Sequence, residues 1–141
     1  MPLYEARRTL PAPVEDVWAV LADPARWPEW FPGLVGAEPT VRRALAPGAL
    51  WQLEGTERPS FRHRPQLGGT LLFLDVVPLR RVTFQMTGER AEVELALERV
   101  EEDEQTAARL AVETPRFGGI GRAFPSEALA GLAALVRPAA E

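Results

Sequence analysis

Val14, Val17, Trp18 and Leu21 fall at i, i+3, i+4 and i+7, one apolar stripe at the helical period. Pro13 just before them suits the first turn of that helix, and Glu15 and Asp16 suit the positive end of its dipole. Asp23-Pro24 then reads as an N-cap followed by a first-turn proline, which starts a second, short helix. Pro28 and Pro32 keep it from running far. Trp27, Trp30 and Phe31 therefore ride on a short angular element. Aromatics so placed either plug a core or close the end of a cavity.

The rest of the chain changes period from helical to alternating. Tyr4–Leu10 reads as a first strand ending at Pro11. Leu34–Arg43 reads as a second, with Pro39 marking an edge position or a bulge. A turn at Ala46–Ala49 leads to a third, in which Ala49, Trp51 and Leu53 share the apolar face. Thr56–Gly69 shows no period and reads as a long loop. Thr70–Val77 is apolar on both faces. After a turn at Pro78, Val82, Phe84 and Met86 face one way in Arg81–Thr87, and Gly88-Glu89 reads as a hairpin turn. Ala91, Val93, Leu95 and Leu97 alternate with Glu92, Glu94 and Glu98, the clearest half-buried strand. Beyond the acidic loop Glu101–Glu104, Thr106–Thr114 turns Ala108, Leu110 and Val112 inward. A Gly-rich run follows Pro115. Ser126–Val136 is helical with Leu129, Leu132, Ala133 and Val136 on one stripe; Phe124 extends its apolar contact, and Pro125 reads as a kink or restart.

The predicted order is β-α-α-β6-α. Strands two to seven join through short connections and so form an antiparallel meander. Alternation leaves one sheet face wet, and the terminal helix is the long element available to cover the other. With no linker or internal repeat, 1–141 reads as a single α+β domain, large enough to bury a core without staples.

Composition narrows the chemistry. The chain has no Cys, which excludes disulfides and thiolate metal sites, and one His, which excludes a multi-histidine centre. No metal and no cofactor are expected. With 20 acidic against 16 basic residues, a net charge of −4 argues against a nucleic-acid partner. No apolar run is long enough for a transmembrane span, and the N-terminus does not resemble a signal peptide, so a cytoplasmic protein is expected. Every basic residue is Arg, a bias that points to GC-rich, bacterial coding.

The segment Leu10-Pro-Ala-Pro-Val-Glu-Asp-Val-Trp18, with Asp23-Pro-Ala-Arg-Trp-Pro-Glu-Trp30 after it, resembles the START/Bet v 1-like (SRPBCC) superfamily. Within that superfamily it is most similar to the bacterial polyketide cyclase/dehydrase group. Val77-Pro-Leu-Arg-Arg-Val-Thr-Phe84 is similar to a strand entry common there. The resemblance spans essentially the whole chain. It implies a helix-grip fold, in which a curved seven-stranded antiparallel sheet wraps a long C-terminal helix. It also implies an elongated apolar cavity between them that takes a lipid, an aromatic or a polyketide-like molecule. The last helix is short for such a family.

On that fold the expected ligand-binding residues are Trp51, Leu53, Phe73, Phe84, Met86, Val93, Leu95 and Leu110 from strands. Phe124, Leu129 and Leu132 would join them from the last helix, and Trp27, Trp30 and Phe31 from one end; Val82 shares the apolar strand face. Packing of a filled core explains the same pattern. A cyclase or dehydratase is the alternative, needing a general base and an enolate stabiliser. His63, beside Arg62 and Arg64 in the long loop, with Arg8 or Tyr4 from the first strand, would be the catalytic candidates. Each also reads as an ordinary loop or edge side chain. A further alternative is a protein-partner module using Trp27, Trp30 and Phe31 as an exposed lip. The ligand's identity and the oligomeric state, a homodimer included, stay open.

Overall fold

The computed structural model describes residues 3–40, 45–55, 69–87, 90–100, 104–114 and 121–136. Its strands are β1 (Leu3–Leu10), β2 (Leu34–Pro39), β3 (Leu50–Gly55), β4 (Gly69–Val77), β5 (Arg81–Met86), β6 (Ala91–Arg99) and β7 (Thr106–Glu113). Its helices are α1 (Val14–Leu21), α2 (Trp27–Trp30) and α3 (Phe124–Val136), with a 3-10 turn at Pro24–Arg26. The strands form one curved antiparallel sheet in the order β1-β7-β6-β5-β4-β3-β2. The meander from β2 to β7 is as expected, and β1 returns the N-terminus to pair with β7, Ala6 opposite Leu110.

Local chemistry explains the punctuation. Pro13 is the N-cap of α1, one position earlier than its first turn, with extended backbone. The Asp23 carboxylate accepts a hydrogen bond from the Ala25 N–H at 3.1 Å and so caps the 3-10 turn. β2 ends at Pro39 rather than Arg43; the Thr40 N–H and hydroxyl both donate to the Leu50 carbonyl, and the expected extension through Arg42 and Arg43 lies outside the described residues. Pro39 is tolerated because β2 is an edge strand, and the bulge lies between Leu34 and Gly36. Pro125 is neither kink nor restart: α3 begins at Phe124, so this proline sits in its first turn, where its missing N–H costs nothing.

The inner sheet face and the three helices enclose one hydrophobic core. α3 lies mainly along β1, with further contact to α2 and β7. At the α3–α2 crossing Gly131 meets the Trp30 backbone so closely that a Cβ there would stand 2.7 Å from the Trp30 carbonyl oxygen. At the far side, the Thr106 hydroxyl donates to the Ala12 carbonyl at 2.8 Å and ties β7 to the segment joining β1 and α1.

Candidate ligand-binding site

Trp27 stands at the centre of an aromatic cluster. Its ring lies 4.8 Å from Trp30, 5.5 Å from Phe31, 5.3 Å from Trp51, 6.1 Å from Phe73 and 5.4 Å from Phe84, centroid to centroid. Phe31 meets Phe124 edge-on at 5.1 Å, which links the end of α2 to the start of α3, and Trp51 meets Phe73 edge-on at 4.7 Å. Tilted and edge-on pairs of this kind gain from ring quadrupoles beyond plain burial. The cluster exists because α2 is too short to present one face. Its aromatics are three and one residues apart: Trp27 reaches β3, β4 and β5, Phe31 reaches β5, and Trp30 packs on Trp27 and Phe31.

The Trp27 indole N–H donates to the Leu21 carbonyl at 2.9 Å. That oxygen belongs to the last turn of α1, where carbonyls lack helical partners, so Trp27 also finishes α1. Two neighbouring indoles differ. Trp30 Nε1 and Trp51 Nε1 have no hydrogen-bond partner, and their side chains are 3% and 0% exposed. The Thr114 hydroxyl, just past β7, is likewise buried and unpartnered. Thr106 and Thr114 are the buried polar side chains among the described residues; the rest of the interior is apolar.

Every residue expected to line a cavity is buried, from Trp51, Leu53, Phe73, Val82, Phe84 and Met86 to Val93, Leu95 and Leu110 on the sheet, with Phe124, Leu129 and Leu132 on α3. Trp27, Trp30 and Phe31 are buried too, so they are no exposed lip, and a partner module built on such a lip has no surface there. The reason is geometric: the 3-10 turn folds α2 back over the sheet, so that its aromatics point into the core.

The catalytic candidates do not converge. Tyr4 and Arg8 share a face of β1 but are four residues apart, about 13 Å along a strand. Tyr4 is half-buried against the core, whereas Arg8 is exposed near the sheet edge. His63 lies outside the described residues. Among the described residues no group of three or more His, Asp or Glu side chains is placed to hold a metal ion.

An open groove of about 1170 Å³, where β1, β7 and β6 meet the β4–β5 turn, is lined by Arg7, Arg8, Arg80, Arg99, Arg109 and Glu98 among others. Arg7, Arg99 and Arg109 in it are ion-paired. Arg109 bonds Glu5 at 2.9 Å and Glu94 at 3.1 Å across β1, β7 and β6, and Arg7 also holds Glu5, at 3.2 Å. The Arg109 guanidinium, then Arg7, holds the Glu5 carboxyl below its ordinary pKa, and Glu5 in turn raises Arg109. The Glu15 carboxyl is lowered by its own backbone N–H at the start of α1 and by Arg99, its ion-pair partner.

Sequence reasoning missed the Trp27–Leu21 bond, the unpartnered indoles and the role of Gly131. Glycine inside an apolar helical stripe was the one visible signal of a close approach.

A sequence profile described as polyketide cyclase / dehydrase and lipid transport matches residues 1–140. The chain belongs to that family. No curated protein matches it by sequence. Among solved structures it is similar to protein CV1439 from Chromobacterium violaceum, at 19% identity and a TM-score of 0.68, with 96% of this chain and 97% of that one covered. It is also similar to the di-domain ARO/CYC BexL from the BE-7585A biosynthetic pathway, at 20% identity and a TM-score of 0.66, covering 96% of this chain and 45% of that one. A third is the Aha1 dimer from Colwellia psychrerythraea, at 16% identity and a TM-score of 0.64, covering 96% and 94%. At these identities the likeness is one of fold, and it agrees with the helix-grip architecture. No helix among the described residues is long and apolar enough to cross a membrane.

Proposed function

We propose that this family member binds a small hydrophobic molecule, a lipid, an aromatic or a polyketide-like compound, between the sheet and α3. The observation that carries this reading is the contiguous aromatic-rich interior joining β3, β4 and β5 to α2 and α3. Such a surface gains about 25 cal/mol for each Å² of apolar ligand it removes from water. The rings touch one another, so they must part to admit a guest. Binding is therefore coupled to a shift toward a more open conformer. Trp27, Trp30, Phe31, Trp51, Phe73, Phe84 and Phe124 would make first contact, and Met86, Val93, Leu95, Leu110, Leu129, Leu132 and Leu53 would form the remaining wall.

The test is titration with fluorescent lipids and polycyclic aromatics, following tryptophan emission and native mass. Saturable one-to-one binding that quenches the indoles supports the reading; no saturable binding to any member of the panel sinks it. Arg8→Ala tests the cyclase alternative beside it. In a binding protein this change leaves affinity within about twofold, because the guanidinium is exposed.

A further inference from the structure

The turn between β4 and β5, Pro78-Leu79-Arg80, has no part in the aromatic interior. Leu79 stands at φ 66°, in the left-handed region that residues other than glycine rarely adopt, and its side chain packs against the core. The next residue is pinned on both sides. The Arg80 N–H donates to the Val77 carbonyl at 2.9 Å, and the Arg80 carbonyl accepts from the Leu97 N–H of β6 at 2.7 Å. Strain of this kind persists where the surroundings over-determine it. Here it fixes the backbone of Arg80, an exposed residue, beside the open groove. Five of the 13 residues lining that groove are Arg, and one, Glu98, is acidic. Across the strands Arg109 lies between Arg7 and Ala96, whose small side chain leaves space beside the guanidinium. Glu5, Glu94 and Glu15 answer the charges of Arg7, Arg109 and Arg99. Arg8 and Arg80 have no ion-pair partner among the described residues.

We propose that this groove binds a phosphate monoester, carried by a small soluble molecule or by a lipid headgroup, with Arg80 as its anchor. The site is separate from the interior between sheet and helices and does not rest on the binding reading above. A guanidinium presents a planar fork of donors that matches phosphate oxygens. A phosphate monoester brings three acceptor oxygens and about −1.5 to −2 charges at neutral pH, enough to answer more than one unpaired arginine. A carboxylate brings one charge and two oxygens. The net charge of the chain, −4, repels a long polyanion, whereas a compact anion meets only the local excess of arginine. The groove is open, so the ligand keeps one side in water and the affinity depends on salt.

The full chain is titrated with glycerol 3-phosphate at constant ionic strength, with sodium acetate as the carboxylate control, and backbone amide resonances are followed. Saturable shifts confined to the groove, at Arg80, Ala96 and Ala107, are expected with the phosphate and not with acetate. Arg80→Gln should weaken binding about two- to fivefold, the worth of one exposed charge pair. Its thermal midpoint should not move, because that side chain is exposed and unpaired. Arg26→Gln, which breaks an exposed pair with Glu29 outside the groove, should bind as wild type does. The wild-type shift map decides the matter even if a variant fails to fold. Vesicles of phosphatidylcholine with and without phosphatidic acid separate the two sources. Co-sedimentation that needs phosphatidic acid and weakens in Arg80→Gln supports the proposal with a lipid as carrier. Glycerol 3-phosphate binding without co-sedimentation supports it with a soluble ester. No saturable shift, shifts centred outside the groove, equal binding of acetate, or an Arg80→Gln variant with wild-type affinity would each overturn it.

Discussion

Gly131 of α3 and Trp30 of α2 are packed backbone to backbone: a Cβ on Gly131 would lie 2.7 Å from the Trp30 carbonyl oxygen and 2.8 Å from its Cα. No flexible side chain stands between them to give way. Gly131→Ala must therefore push α3 off α2, and α2 carries the aromatics. We expect a loss of about 1–3 kcal/mol, the usual range for overpacking, read by urea denaturation. Gly121→Ala is the control, since a Cβ there meets nothing within 4 Å. Its stability should be unchanged or higher by up to about 1 kcal/mol. If both variants behave alike, the close approach does not matter to the fold.

Trp27 and Trp51 are equally buried, but Trp27 also holds the Leu21 carbonyl. Trp27→Phe removes ring area and strands an acceptor at the end of α1. Trp51→Phe removes similar area and, at the same time, an unpaired donor. The first substitution should cost more than the second by roughly 1–3 kcal/mol. Parallel chemical denaturation of the two variants measures the gap, and a gap near zero would mean the Trp27 bond contributes nothing.

Thr106→Val keeps the shape of the side chain and deletes the donor to the Ala12 carbonyl. Because this bond lies fully buried between β7 and the β1–α1 junction, a loss of about 1–2 kcal/mol is expected. Hydrogen exchange should rise first in α1 and β1. Exchange that increases uniformly would argue for a global rather than a local role.

Stability should depend on acid through Glu5 and Glu15. Both carboxyls are held below the ordinary glutamate value of 4.5 by arginine partners and, for Glu15, by a backbone N–H ahead of its partner. A folded pKa below the unfolded one means stabilisation that is complete above the unfolded value. It is lost as pH falls from there through the folded value. Thermal midpoints should thus be flat from neutrality to about pH 5 and drop below that. Glu5→Gln should lower the neutral plateau slightly and shallow the acid drop. Salt should weaken the effect, because these groups face water. An acid profile identical in Glu5→Gln and wild type would count against the Glu5–Arg109 link.

Most of the architecture was legible because it rests on local periodicity. The alternation of Ala91, Val93, Leu95 and Leu97 with Glu92, Glu94 and Glu98 became β6, and the stripe of Val14, Val17 and Leu21 became α1. Boundaries were less legible. Pro125 looked like a break because the sequence does not say that Phe124 begins the helix and that the proline stands in its first turn. Candidate residues were legible as apolar positions but not as partners. Trp27, Trp30 and Phe31 read equally as a core plug, a cavity end or an exposed lip, and only the tertiary contacts of Trp27 and Phe31 with Trp51 and Phe84, and the burial of all three, decide against the lip.

Sequence by itself therefore determined the order of elements, the wet and dry faces of the sheet and the family. Those follow from side-chain period, from turn chemistry and from a motif that is contiguous in the chain. Tertiary structure alone decided which donors find acceptors. The Trp27 N–H reaches a carbonyl six residues back, whereas those of Trp30 and Trp51 reach none. Hydrogen-bond satisfaction depends on distances of a few tenths of an ångström between segments far apart in the chain, and no pattern of residue types encodes that directly.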